Sequence, residues 1–397
     1  MGELERAERE DAELSWRRAP LLMVVASLTG FGVIMVYSAS AVRAARGWGW
    51  EVFYAWNQLS WLGVAIAALV VMAAIPYGFW LRLRFPILAL CQLFLILVLT
   101  PLGTRINGAS RWFRFSLFNV QPSELAKIGM IVAVSAILAG IQDGRPRFFR
   151  HVVPLCAVSG LAVGLIALEP DFGTAALLAS GLGLLMLAGG VRIWHLLLLA
   201  LPIVPLAGWY GMTHFDYINR RIGDWLAGTA FHTNASRLAM GSGGLWGVGL
   251  GQGPAKLEYL PEAHTDFILA IAGQETGLIG TLSLVALFAI LVWQGMGIAD
   301  KARDRFGSLL AFGITAVIGG QTLFNMGVVT GLLPPKGISL PFVSFGGSGL
   351  VVFYSMIGLL LSIARPAPAR VETDLIRKYR RAPVFRMLAG TGEEAGT

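Results

Sequence analysis

Four polar stretches interrupt an otherwise apolar chain, and they hold the residues whose types could do chemistry. They are Asn107-Gly108-Ala109-Ser110-Arg111-Trp112 leading to Gln121-Pro122-Ser123-Glu124-Leu125-Ala126-Lys127, then Glu169-Pro170-Asp171-Phe172-Gly173-Thr174, then Pro261-Glu262-Ala263-His264-Thr265-Asp266-Phe267, and Pro334-Pro335-Lys336-Gly337 leading to Ser344-Phe345-Gly346-Gly347-Ser348. Asp266 is the candidate catalytic carboxylate, because it falls in the first turn of an apolar span, at the edge of hydrocarbon, beside His264 and Thr265. A plainer role is open to it: Thr265 caps the helix and Asp266 complements the helix dipole, worth about 0.3–1 kcal/mol. Glu124 and Lys127 share one helix face, and a lone charge at the depth of Lys127 costs about 2.5–3.5 kcal/mol on insertion scales. The two can simply neutralise each other, yet a cation just inside the surface and near Arg111 also suits a lipid-borne pyrophosphate, which needs charge-assisted donors. Substrate contact is the favoured reading.

Glu275 lies nine residues beyond Asp266, about 13–14 Å deeper on a straight helix. An ionisable group at that depth is a functional candidate by default. The alternative, favoured here, is a carboxyl kept neutral or hydrogen-bonded to Gln321 or Asn325, which share a face of another span at i,i+4 spacing. Asp171 is suited to cap a helix beginning at Phe172, and Ser344 and Ser348 have the same structural reading beside their glycines. Gly346 and Gly347 let the backbone approach a neighbour or an anion closely.

The elements that must position these residues are membrane helices. The 397 residues are 56% hydrophobic and only 14% charged, with mean hydropathy +0.68, too apolar for a soluble surface. Apolar runs long enough to cross about 30 Å of hydrocarbon give ten spans: Ala19–Val42, Leu59–Trp80, Phe85–Pro101, Ser123–Ile141, Val152–Leu168, Phe172–Gly190, Ile193–Met212, Thr265–Trp293, Phe306–Leu333 and Phe342–Ile363. One long apolar stretch must be cut at Gly189-Gly190-Val191-Arg192 to reach this count. Fold class is therefore all-α, a single polytopic membrane domain over residues 19–365, with a polar N-terminal segment 1–18, a C-terminal tail 366–397 and one large loop over 213–264. No cleavage site follows the first apolar helix, so it is read as a retained span.

Orientation follows from the short basic loops, since Lys and Arg resist translocation. Arg17, Arg18, Arg82, Arg84, Arg145, Arg147, Arg150, Arg192, Lys301, Arg303, Arg305, Arg365 and Arg370 alternate with successive spans, which puts them and both termini in the cytoplasm. All four polar stretches then lie at the outer ends of their helices. Arg105, Arg111, Arg114, Arg220, Arg221, Arg237, Lys256 and Lys336 are outer basic residues that ask for a partner. The net charge of +8 sits in short clusters between apolar runs, which points to anionic membrane lipids and away from nucleic acid. Cys91 and Cys156 fall in apolar spans as small hydrophobes and form no disulfide or metal framework. The glycine-rich Gly241–Gly244 and Gly247–Gly251 stretches lack the strand and βαβ context of a dinucleotide fingerprint. No inverted internal repeat of the transporter kind is visible.

Together the four motifs, with Val36-Tyr37-Ser38-Ala39-Ser40 in the first helix, resemble the SEDS family (shape, elongation, division and sporulation), the polytopic peptidoglycan glycosyltransferases that include FtsW, RodA and SpoVE. The resemblance spans most of the chain in family order, and Pro335-Lys336-Gly337 looks more like the division-type FtsW branch than the RodA branch. It implies a ten-helix enzyme of the bacterial cytoplasmic membrane that polymerises lipid II beside a class B penicillin-binding protein and other divisome proteins. Asp266 matches the family's essential aspartate. Arg111, Glu124, Lys127, Lys336, Ser344 and Ser348 match polar family positions, and Asp171 and His264 join them as candidate substrate contacts. The chain departs from the pattern at Gln274-Glu275, where the family commonly has two glutamates, and near His232 and Ala235, where it often has glutamines.

The implied reaction is attack by the 4-hydroxyl of an N-acetylglucosamine on C1 of the muramyl donor, expelling undecaprenyl pyrophosphate. Asp266 would act as general base, or hold a divalent cation (Mg or Mn) against the pyrophosphate, since a first-turn carboxylate should have a low pKa. Arg111 and Lys127 would offset the leaving-group charge. A flippase is the rival from another class, and it needs polar residues through both leaflets. Here they crowd the outer end, with Glu275, Gln321 and Asn325 the only obvious deep set, which favours an enzyme. A scaffold for other division proteins would work normally without Asp266.

Overall fold

A computed structural model describes residues 14–106, 109–114, 119–141, 146–214, 216–256 and 260–365. Asn107, Gly108, Arg145, Arg370, most of the N-terminal segment and the tail after Arg365 lie outside the described residues. Ten apolar helices are present among the described residues, matching the expected count. Seven are long enough to cross a bilayer on length and composition, and three are shorter. In chain order the elements are α1 (Arg18–Trp48), α2 (Phe53–Ala74), the short α3 (Gly78–Arg82), α4 (Arg84–Val98), strands β1 (Thr104–Ile106), β2 (Ala109–Arg114) and β3 (Asn119–Val120), α5 (Pro122–Ala139), α6 (Val153–Leu168), α7 (Phe172–Ala188), α8 (Ile193–His214), α9 (Asp216–Leu226), α10 (Phe231–Ser242), α11 (Ile268–Lys301), α12 (Arg305–Val329) and α13 (Gly347–Ile363). The apolar ten are α1, α2, α4 to α8 and α11 to α13.

Expected span limits hold at α6 and at the starts of α7 and α8, and move elsewhere. The α7–α8 cut falls where expected, because Gly190 takes a left-handed conformation at φ 90° that a continuing helix does not use. The second span begins six residues earlier than its hydropathy suggested, at Phe53, because polar Asn57 and Gln58 are inside the helix, Asn57 lining a cavity and Gln58 bonded to the Gly346 amide. The last span begins at Gly347 rather than Phe342, since Ser344 and Phe345 belong to a turn held by other elements. A three-stranded antiparallel sheet, order β1-β2-β3, adds to the all-α expectation in the first polar loop, with Arg105 opposite Ser110 and Phe113 opposite Val120.

α5 and α12 are almost wholly enclosed by other helices, whereas α8 leaves most of its apolar surface outward, the order expected of central and lipid-facing helices. α13 lies along α2, α11 along α12 and α1, and α4 along α5. At the end opposite the four motifs, basic residues close helix C-termini. Arg305 donates to the carbonyls of Ile141 and Gly189 beyond α5 and α7, and Arg365 to those of Ala73 and Ala74 at the end of α2. Asp304 caps α12 through the Gly307 amide and accepts from the Tyr77 hydroxyl.

The described residues of the long loop carry α9 and α10 and then a glycine-rich run spliced into α11. At Gly277 (φ 67°, ψ −166°) α11 breaks, and the loop takes over the freed groups. Leu278 and Ile279 donate to the carbonyls of Gly244 and Leu245, while Val248 and Gly249 donate to those of Gln274 and Glu275. Irregular backbone in a membrane protein is tolerated where protein satisfies it in this way. Glycine is required at the contact: a Cβ on Gly247 would come within 2.2 Å of the Glu275 carbonyl oxygen, and one on Gly277 within 2.3 Å of the Gly247 nitrogen.

Candidate active site

The starts of α2, α5, α7 and α13, the β2 strand and the turn before α11 converge on one cavity of about 600 Å³, within the range of small-molecule sites. Arg111, Glu124, Lys127, Asp171, Asp266 and Ser348 all line it, so six of the nine candidate residues, drawn from five separate parts of the chain, meet at one place. His264, Lys336 and Ser344 do not line it.

Asp266 lies in the turn before α11, whose first helical residue is Ile268, and not in the helix's first turn as expected. Thr265 does not cap the helix either; its hydroxyl serves Glu262. The turn is held from two sides, with Asn325 donating to the Asp266 carbonyl at 2.8 Å and Ser344 donating to the Thr265 carbonyl at 2.5 Å. Gly337 passes so close that a Cβ there would sit 3.0 Å from Oδ2 of Asp266. Burial, reinforced by the charges of Glu262 and Asp171 and opposed by Arg221 and Arg111, pushes the Asp266 carboxyl up to about 7. The low pKa expected from a helix start is thus replaced by one near neutrality, because the residue is outside the helix and partly desolvated.

Lys127 is fully buried and bonded to Glu124 at 2.8 Å and to Oε1 of Gln321 at 2.8 Å, with its ammonium 5.0 Å from the Phe353 ring centroid. The neutralising partnership is therefore real, and both residues still face the cavity. Asp171 does cap its helix, accepting from the Thr174 amide at 3.2 Å, and also accepts from Gln121 at 3.3 Å. Arg111 is fastened by donation to the carbonyls of Glu169 and Pro170, which ties the hairpin to the α6–α7 turn.

The three residues off the wall support it. Ser344 accepts from the Leu340 amide as well as holding the Thr265 carbonyl. His264 packs between Tyr54 and Phe345, and burial lowers its imidazole to about 4, so it is neutral at pH 7. Lys336 lies 5.4 Å from the Phe172 ring centroid, its pKa lowered by burial and by the charge of Arg221.

Glu275 contacts neither Gln321 nor Asn325. Gln321 serves Lys127, and Asn325 serves the backbone of Asp266 and Ile338. Glu275 instead accepts from Ser38 at 2.6 and 2.7 Å, from the Gly251 amide at 3.0 Å and from Lys256 at 3.1 Å. The Ser38 motif in α1 and the outer cation Lys256 thus acquire their partner, at the splice below the Asp266 turn.

Sequence reasoning passed over Glu169. It is fully buried, with both carboxylate oxygens lacking a hydrogen-bond partner among the described residues, and burial together with Asp171 raises it to about 8 against the pull of Arg111. Its adjacency to Pro170-Asp171 was the available signal. Also passed over were Trp48, Phe53, Tyr54, Asn57 and Trp61, which form the α1–α2 part of the wall; the density of aromatic residues over positions 48–61 was their signal.

No cluster of three or more His, Cys, Asp or Glu side chains arranged for a metal ion occurs among the described residues. Asp266 and Asp171 are two carboxylates that line the same cavity.

A membrane helical bundle with a polar cavity gathered at one end of its helices is the class that fold and site define, and the chain belongs to the FtsW/RodA/SpoVE family, described as cell cycle protein, whose model matches residues 19–368. It is 41% identical over 352 residues to a probable peptidoglycan glycosyltransferase FtsW of Geobacter metallireducens, covering 87% of this chain and 93% of that one. It is 37% identical over 353 residues to the stage V sporulation protein E of Bacillus subtilis, covering 87% and 96%. Among solved structures it matches, with TM-score 0.71 and 26% identity over 87% of this chain and 96% of the other, a chain of a peptidoglycan synthase complex described as coordinating polymerization and crosslinking.

Proposed function

We propose that this protein is a peptidoglycan glycosyltransferase that polymerises lipid II at the outer face of the cytoplasmic membrane, in cell division, with both termini in the cytoplasm. The observation that carries the reading is the placement of a carboxylate with pKa near 7 on the wall of the same cavity as Arg111 and Lys127. A base works best when its pKa is close to the operating pH. Asp266 takes the proton of the acceptor's 4-hydroxyl as its oxygen bonds to C1 of the muramyl donor. The C1–O bond to pyrophosphate breaks, and undecaprenyl pyrophosphate leaves with the electron pair. Arg111 and Lys127 face the charge that grows on the leaving group, where fixed cations in a desolvated site are most effective.

Where a Mg or Mn ion takes part, Asp266 and Asp171 are the residues that would hold it, and it would add positive charge beside the pyrophosphate. Glu124 keeps Lys127 in place, and the neutral His264, Ser344 and Asn325 hold the turn that carries Asp266. Among the described residues the deep polar groups Glu275, Gln321 and Asn325 each hold hydrogen-bond partners within the protein, which favours the enzyme reading over a flippase.

The similarity to a chain of a synthase complex and to FtsW supports a class B penicillin-binding protein as partner, with other divisome proteins. The test is polymerisation of labelled lipid II by purified protein, alone and with that transpeptidase, comparing wild type with Asp266→Asn, with and without divalent cation. Glycan ladders from wild type and none from a folded variant support the reading. Equal ladders from both remove Asp266 from it.

A further inference from the structure

The cavity wall contributed by α1 and α2 differs in kind from the charged remainder. Trp48 stacks on Phe53, with centroids 4.4 Å apart and planes 11° apart, so one indole face is covered by protein. The residue is nevertheless 62% exposed and lines the cavity, which leaves its other face open. Trp112, next to Arg111 on β2, lines the cavity as well. Asn57, one turn into α2, also faces it, and its amide makes no hydrogen bond among the described residues. Gln58 beside it is fully buried and pins the α13 turn, accepting from the Gly346 amide and donating to the Ser344 carbonyl. This wall is therefore fixed to the same turn that supports Asp266.

Trp50 and Trp56 supply the contrast. They are 48% and 61% exposed in the same short stretch, yet neither lines the cavity, which suits an aromatic belt at the membrane surface. Trp48 and Trp112 instead line the cavity.

We infer that Trp48, Trp112 and Asn57 form a subsite for N-acetylated pyranose rings, within the cavity and distinct from the residues that face the pyrophosphate. The electron-rich face of an indole matches the weakly positive C–H face of a sugar ring, as it matches the edge of another ring in aromatic pairs. A free carboxamide carries one acceptor and two donors, which complement the N–H and C=O of an acetamido group. The inference rests on the glycosyl-transfer reading of the cavity.

The test uses the full-length protein in nanodiscs. Binding of the β-1,4-linked N-acetylglucosamine tetramer is measured by calorimetry, and KM and kcat are measured for lipid II. Trp48→Ala and Asn57→Ala are expected each to weaken tetramer binding and raise KM by about tenfold while kcat stays at the wild-type value. Trp50→Ala and Trp56→Ala should match wild type, and Trp48→Phe, which keeps a stacking face, should recover most of the loss and so separate sugar contact from misfolding. Unchanged affinity and KM in Trp48→Ala and Asn57→Ala overturn the subsite, as does an equal loss in the Trp50 and Trp56 variants. If wild type binds the tetramer but makes no glycan, the polymerase reading fails while the subsite stands. If wild type makes glycan and no variant moves KM, the subsite alone fails.

Discussion

Asp266 carries a cost that its neighbours keep in place. An acid whose folded pKa is near 7 while its unfolded pKa is near 3.8 binds its proton more tightly when folded. Its contribution to stability is therefore fully present below the unfolded value and is lost as pH rises towards and through 7. Asp266→Asn removes that penalty, so the variant should melt no lower than wild type at pH 8 in detergent while losing about 10²–10⁴-fold in polymerisation rate. The same pKa predicts that kcat/KM for wild type rises with pH through a limb near 7, because the base must be ionised; a pH-rate profile flat from 5 to 9 contradicts this role. Lys127 predicts the opposite kind of loss. Lys127→Ala leaves Glu124 in a buried site without its cation and should destabilise the protein by about 3–5 kcal/mol, read as a drop in thermal midpoint as well as in activity. Asp266 was legible as a candidate from its residue type and its place at a span's edge, but its pKa was not, because its burial involves Gly337 and the charge beside it includes Asp171, both arriving from elsewhere in the chain.

At the scale of elements, the splice between the glycine-rich loop and broken α11 decides where the Asp266 turn stands. The ion pair of Lys256 with Glu275, and the bonds from Ser38 and Gly251, hold loop, α1 and α11 together. Lys256→Ala should cost about 3–5 kcal/mol through the stranded Glu275 carboxylate, and Lys256→Ala with Glu275→Gln should recover part of it, a double-variant comparison of thermal midpoints. Equal midpoints in the single and double variants would show that the pair holds nothing. Helix existence was readable here and helix interruption was not. Gly277 follows Gln274-Glu275-Thr276 with no proline or helix-stop pattern around it, and its φ of 67° goes with close contact to Gly247, thirty residues earlier. The partner of Glu275 was misassigned for the same reason: on a straight helix Gln321 and Asn325 are plausible neighbours, whereas the broken helix turns the carboxylate to Ser38 and Lys256.

For the whole molecule, ten helices with basic residues at one end and a cavity at the other make a protein with two unlike faces. Helix count came from hydropathy, and the expected sidedness rests on the spacing of Arg and Lys, both local quantities summed along the chain. The cavity could not be read that way, since it exists only where α2, α5, α7, α13 and the loops meet. Sidedness has its own check. Leu332 is 75% exposed and Phe149 83% exposed, at opposite ends of the bundle. With Cys91 and Cys156 replaced, Leu332→Cys should react with an impermeant maleimide in intact spheroplasts, and Phe149→Cys only after permeabilisation. The reverse pattern would invert the topology and place the cavity in the cytoplasm.

Most direct of all is polymerisation of fluorescent lipid II by the purified protein with its transpeptidase partner, wild type beside Asp266→Asn, each shown folded by its melting curve. Glycan strands from wild type and none from the equally stable variant are predicted. Strands of the same length and yield from Asp266→Asn would contradict the assignment of the reaction to this cavity's carboxylate.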